Sequence, residues 1–103
     1  ANNETGVLQP VREAADIAHD KGGLLFVDAA QAVGKIPVNF VMSGADLMAV
    51  TAHKFGGPIG VGALIAGPNL PLHPVMRGGG HEENRRAGTH NVPAIAGLGA
   101  ACE

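Results

Sequence analysis

Apolar positions change period along this chain, and each change marks an element. Val11, Ala14, Ala15 and Ala18 recur at helical spacing, with Arg12, Glu13, Asp16 and Asp20 mostly on the opposite face. Pro10 stands before them and Gly22-Gly23 after, so a helix is expected from Pro10 to about Lys21. Leu24-Leu25-Phe26-Val27 is continuous and stops at Asp28, the pattern of a short parallel strand buried on both faces. Asp46–Thr51 repeats it as a second buried strand, and Val61–Ala66 is a third. The roughly ten-residue link between the last two is too short for a helical crossover, which predicts antiparallel neighbours. Pro93 opens a second main helix, with Ile95, Leu98 and Cys102 on one side and Ala94 and Ala101 alongside. On that apolar face Cys102 is expected to be a buried, inert thiol.

Between these elements the chain carries turn signals: Asn2, Asn3 and Gly6, then Gly34 to Pro37. A single helical turn fits Phe40 to Gly44. Gly67 to Arg77 is irregular, Gly78-Gly79-Gly80 is neither helix nor strand, and residues 81–90 form a polar loop. No internal repeat is present. Helices alternating with short buried strands place the chain in the α/β class, with a mixed, mostly parallel sheet of about three strands and two main helices.

Composition narrows the function. At 103 residues, 46% hydrophobic and 16% charged, the chain is too apolar for a disordered segment and has the length of one small domain. A net charge of −2 and only three aromatic residues, all Phe, argue against nucleic-acid binding. No apolar run reaches the eighteen residues that would suggest a membrane span. One cysteine allows no internal disulfide, which fits a reducing, cytoplasmic setting. The polar-turn start and the helical end are those expected of a segment from a longer protein.

Ligands of open α/β sheets bind at the carboxyl ends of parallel strands. The first strand ends at Asp28, with Gln31 one turn on; the second ends at Thr51, His53 and Lys54. Taken singly, an Asp after a strand is ordinarily a turn residue and a Lys ordinarily a solvated charge. Together, an amine and a carboxylate at neighbouring strand ends match the needs of pyridoxal phosphate. That cofactor takes a lysine at its aldehyde and a carboxylate at its pyridine nitrogen. Desolvation and a cationic cofactor would lower the pKa of such a lysine. The glycine loop 56–60 lacks a following helix of phosphate-loop type and reads as a turn.

Five segments in order carry a resemblance: Asn2-Asn3-Glu4-Thr5-Gly6, Val27-Asp28-Ala29-Ala30-Gln31, Thr51-Ala52-His53-Lys54, Gly56-Gly57-Pro58-Ile59-Gly60 and Gly78-Gly79-Gly80-His81-Glu82, extended by Arg86-Ala87-Gly88-Thr89. The chain resembles the bacterial cysteine desulfurases of the class V aminotransferase group. The resemblance implies the fold-type I pyridoxal-phosphate transferase architecture, with residues 1–103 as the central part of the large domain. The N-terminal part and a C-terminal small domain would lie outside these residues. Lys54 then corresponds to the imine-forming lysine, Asp28 to the partner of the ring nitrogen, and Gln31 to the donor toward the phenolic oxygen. Thr51 and His53 correspond to phosphate ligands. Asn3 corresponds to an asparagine near the substrate carboxylate and the phenolic oxygen, and Thr89 to a threonine that reaches the phosphate of the partner subunit's cofactor. Arg86 falls in the family's interface loop.

The implied reaction takes L-cysteine to L-alanine and passes persulfide sulfur to acceptor proteins for iron–sulfur cluster assembly or tRNA thiolation, in a homodimer. The nucleophilic cysteine of the family lies downstream of residue 103 and is not Cys102, so the 103 residues alone are expected to be inactive. A selenocysteine lyase, another class V member, or a non-catalytic structural segment are the alternative readings.

Overall fold

The computed structural model describes all 103 residues. In chain order the elements are α1 (Val11–Asp20), β1 (Phe26–Asp28), α2 (Phe40–Ser43), β2 (Leu47–Thr51), β3 (Gly62–Ala66) and α3 (Val92–Ala101). A 3-10 turn, Ala52–Lys54, follows β2 directly, and another spans Glu82–Asn84.

Local chemistry accounts for each boundary. Helix α1 ends in a Schellman arrangement. The Gly22 N–H donates to the His19 carbonyl and the Gly23 N–H to the Ala18 carbonyl. Gly22 has φ +71, a conformation that costs a residue with a Cβ about 1–2 kcal/mol. Asn39 caps α2 by accepting from the Met42 N–H at 2.9 Å, and Asn91 caps α3 by accepting from Ala94 at 3.3 Å. Each cap is worth about 1 kcal/mol. The Arg12–Asp16 ion pair on α1, at 2.8 Å, is exposed and contributes only a few tenths.

The three strands form one sheet in the order β1-β2-β3. β1 and β2 are parallel, with Phe26, Val27 and Asp28 opposite Leu47, Met48 and Ala49. β2 and β3 are antiparallel, from Leu47 opposite Ala66 to Thr51 opposite Gly62. The expected mixed sheet and antiparallel third strand are therefore present. One face carries the core, where Ala29, Ala45 and Met48 are buried against Val27, Val33, Phe40 and Val50.

The other sheet face differs from expectation. Phe26 is 56% and Leu64 55% exposed, so these strands are not buried on both sides. The buried residues of the chain are seven alanines and Met48. Cys102 also departs from its reading. It is exposed, because α3 ends at Ala101 and Cys102 is the terminal cap rather than part of the packed face. No helix is long and apolar enough to cross a membrane.

Asp46, just before β2, fixes where the parallel pair begins. Its Oδ2 accepts from His19 Nε2 at 2.9 Å and from the Leu25 N–H at 2.7 Å, tying the end of α1 and the approach to β1 onto β2. The His19 bond first, and the Leu25 amide second, hold the Asp46 carboxyl below its ordinary value of 3.8. A carboxyl lowered in the folded state stabilises above its unfolded pKa, and that contribution is lost as pH falls through the lower folded value. Asp46→Asn should therefore melt below wild type at neutral pH. The difference in Tm should begin to shrink near pH 3.8 and be lost as pH falls through the lower folded value. Parallel melting curves for the two proteins across that range would contradict this role.

Candidate active site

The β1–β2 register assembles the polar edge. Side chains alternate faces along a strand. Asp28 is opposite Ala49, so Asp28 and Thr51 project from one face, away from the Val27–Met48 core. Both strands run in the same direction, so Asp28, Thr51, His53 and Lys54 all lie at or just past the carboxyl end of the parallel pair.

Asp28 combines the ordinary role with a free acceptor. Its Oδ1 takes the Ala30 N–H at 2.9 Å, closing an Asx turn, while no donor of this chain reaches Oδ2. The chain then winds through bonded turns. The Ala32 and Val33 N–H groups donate to the Ala29 carbonyl, and those of Lys35 and Ile36 to Ala32. Gln31 and Lys35 are thereby one turn apart, and Lys35 Nζ donates to Gln31 Oε1 at 2.6 Å. At the other strand end Thr51 Oγ1 and His53 Nδ1 are 3.0 Å apart, a hydroxyl–imidazole pair. Lys54 ends the 3-10 turn, exposed and without a hydrogen bond or ion pair. The desolvation expected around it is thus not supplied by these residues.

Gly34 locks the two halves of the edge together. It has φ +76, and a methyl group there would overlap Phe55 Cβ, the residue after Lys54. Only a residue without a side chain lets the Gln31–Lys35 turn lie flush on the segment that carries the lysine. The pattern from Gly34 to Pro37 signals only a turn. The contact of Gly34 with Phe55 joins positions far apart in the chain, and no local pattern signals it. Behind Lys54, Gly57 lies beside Ala52 and Ala101, and Pro58 lies against Gly97, so α3 supports the loop from below.

Asn3 and Thr89 are not brought into this cluster by any bond. Asn3 is exposed in a turn held by Asn2, whose Oδ1 accepts from the Glu4 and Thr5 N–H groups at 2.9 Å. Thr89 is exposed in a loop closed by His90 Nε2 and Glu82 Oε1, 2.7 Å apart. Arg86 donates to the Ala87 carbonyl at 2.9 Å, a structural role. A cavity of about 210 Å³ borders Asp28 and is walled by Leu8, Val27, Ala32, Ile36 and Met48. No group of three metal-ligating side chains is present.

The aminotransferase class-V family model matches residues 1–103. The chain belongs to the class-V aminotransferase family. Among class-V relatives, a cysteine desulfurase from Klebsiella pneumoniae is 50% identical over all 103 residues. A NifS-like protein from Rickettsia africae ESF-5 superposes with a TM-score of 0.95 at 42% identity over 99% of the chain, which covers 28% of that structure. A structure described as SspA in complex with cysteine matches at 0.93 and 36% identity, covering 99% of this chain and 30% of that one. The chain spans about a quarter of the length of the curated relatives it matches, 26% for the Klebsiella protein. The α/β class-V fold expected from the sequence is thus the one observed.

Gly34→Ala should place its cost in this edge. The left-handed conformation and the overlap with Phe55 together predict a loss of roughly 2–5 kcal/mol. Denaturant midpoints measure it; a change under about half a kcal/mol would mean that the turn does not bear on Phe55.

Proposed function

We propose that these residues form the cofactor-holding core of a pyridoxal-phosphate-dependent cysteine desulfurase. The observation that carries this reading is the placement of Lys54 and Asp28 at the carboxyl ends of adjacent parallel strands, β2 and β1. An unpaired amine, a carboxylate with one unused oxygen, a hydroxyl–imidazole pair and an amide share that edge. This donor set fits an aldehyde, a pyridine nitrogen, a phosphate and a phenolic oxygen, the four polar features of pyridoxal phosphate. The cysteine desulfurases among the relatives, and the relative described with bound cysteine, support cysteine as the substrate class.

Each residue has a physical task in this reading. Lys54 would hold the cofactor through its aldehyde carbon, and its amine would move a proton at the substrate α-carbon. Asp28, through Oδ2, keeps a proton on the ring nitrogen. Thr51 and His53 donate to the phosphate, where bonds to an anion are stronger than neutral ones. Gln31 donates to the phenolic oxygen. In a homodimer, Asn3 would serve the substrate carboxylate and Thr89 the phosphate of the partner subunit's cofactor, as the resemblance implies. The cofactor supplies an electron sink that makes the α-proton removable.

A thiol outside residues 1–103 takes the substrate sulfur as persulfide, leaving alanine. Cys102 is not assigned this part, since it terminates a helix rather than sitting on a mobile loop. The persulfide sulfur then passes to acceptor proteins for iron–sulfur assembly or tRNA thiolation.

Substitution in the full-length enzyme tests the assignment. Lys54→Ala should lose both the visible absorbance of bound cofactor and alanine formation. A variant that kept both would remove Lys54 from the site.

Asp28→Asn should keep the cofactor but lose roughly 3 kcal/mol of charge-assisted stabilisation at the ring nitrogen, about a hundredfold in turnover. Unchanged turnover at full cofactor occupancy would exclude Asp28 from the mechanism.

A further inference from the structure

We infer that Lys35 is a positioning residue for the cofactor: its ammonium orients and polarises the Gln31 amide so that the amide N–H faces the bound ring. The inference rests on the reading of the site given above and assigns a task to a residue outside that reading.

The geometry is specific. Lys35 Nζ donates to Gln31 Oε1 at 2.6 Å, at the short end of charge-assisted bonds. An ammonium has three donors and no acceptor, so only the amide oxygen can face it. The NH2 group of Gln31 is then turned away from Lys35 and is left to donate elsewhere. Without Lys35 the amide could rotate by half a turn at little cost and offer its oxygen to the same spot. A carbonyl oxygen facing an anionic phenolic oxygen would repel it. One cation thus decides whether this position donates or repels.

The backbone makes the pairing persistent. The bonded turns from Ala29 to Ile36 hold Gln31 and Lys35 on one side, four residues apart. Gly34, between them, is pressed onto Phe55. The turn therefore keeps a fixed relation to Lys54, the adjacent residue. The stem of Lys35 starts from that fixed turn, which keeps its ammonium within reach of Gln31 Oε1.

Polarisation adds to orientation. Bonds in a chain strengthen one another, so a charge on the amide oxygen makes the amide N–H a better donor. A better donor stabilises the anionic form of the ring oxygen and lowers the pH at which the bound chromophore loses its proton. Removing Lys35 should raise that pH.

The test is a spectroscopic pH titration of the full-length holoenzyme, read at the visible band that depends on Lys54. Lys35→Met keeps the apolar stem and removes the charge; Lys35 is exposed, so the fold is not at stake. Asp28, His53 and Lys54, the other titratable groups at this edge, are unchanged in every variant. The midpoint should rise by about half a unit or more in Lys35→Met and return toward wild type in Lys35→Arg. In a Gln31→Ala background the Lys35→Met shift should vanish, because residues acting through one another are not additive.

A wild-type midpoint in Lys35→Met, with a shifted one in Gln31→Ala, would overturn the role of Lys35 and leave the cofactor reading standing. A shift of equal size in both backgrounds would overturn it too, since Lys35 would then act directly. A wild-type holoenzyme preparation with no Lys54-dependent band would sink the cofactor reading and this inference together.

Discussion

The parallel pairing of β1 with β2 is the constraint on which the remaining structure depends. Its register puts Val27 beside Met48 on the core face and Asp28 beside Ala49 on the other. A slip of one residue would turn Asp28 into the core and Val27 out of it, because strand side chains alternate. Register is held at both ends. Before the strands, the Leu25 N–H reaches the Asp46 carboxylate, and the Asp46 and Leu47 N–H groups reach the Leu25 carbonyl. After them, the Ala29 N–H donates to the Ala49 carbonyl. The Asp28–Thr51 face is the product of that clamp, and Lys54 follows from it by only three residues.

The core behind the clamp is thin. Seven of the eight buried residues are alanines, and Met48 alone brings volume. Small residues allow close approach, as where Ala15 sits under Gly44 and Ala52 under Gly57. They bury little area, and burial gives only about 25 cal/mol per Å². The bulkier apolar side chains Leu24, Phe26 and Leu64 stand largely exposed. An unbroken apolar run such as Leu24–Val27 suits a sheet covered on both faces. The relatives this chain matches are about four times as long.

Elements whose cause is local were readable from the sequence. Pro10 and Gly22 bound α1, Phe40 to Gly44 make a single helical turn, and the short link between β2 and β3 predicts their antiparallel pairing. The lysine and the carboxylate at the strand ends were readable for the same reason, since a strand's end and direction follow from its apolar run. What escaped was whatever joins distant residues. His19 meets Asp46 across 27 positions, and Gly34 meets Phe55 across the sheet edge. Glu82, Glu83 and Asn84 all have positive φ, a sequence of left-handed residues that no glycine announces. The apolar period of Ile95 and Leu98 runs on to Cys102, but the helix stops one residue short of it.

The polar edge also shows a division of labour. Asp28 is tied to Ala30, Gln31 to Lys35, and Thr51 to His53, each by a bond of 3.0 Å or less within its own short segment. Groups so tied do not have to be ordered when a ligand arrives, and avoiding that ordering cost strengthens binding. Preorganised dipoles also act on developing charge without reorganising during reaction. Lys54 alone at this edge is left untied. A fixed amine would have to break a bond before it could attack a carbonyl or take a proton from carbon. On the proposed cofactor reading, the edge ties down the groups that would orient a ligand and leaves untied the one amine that would make and break bonds.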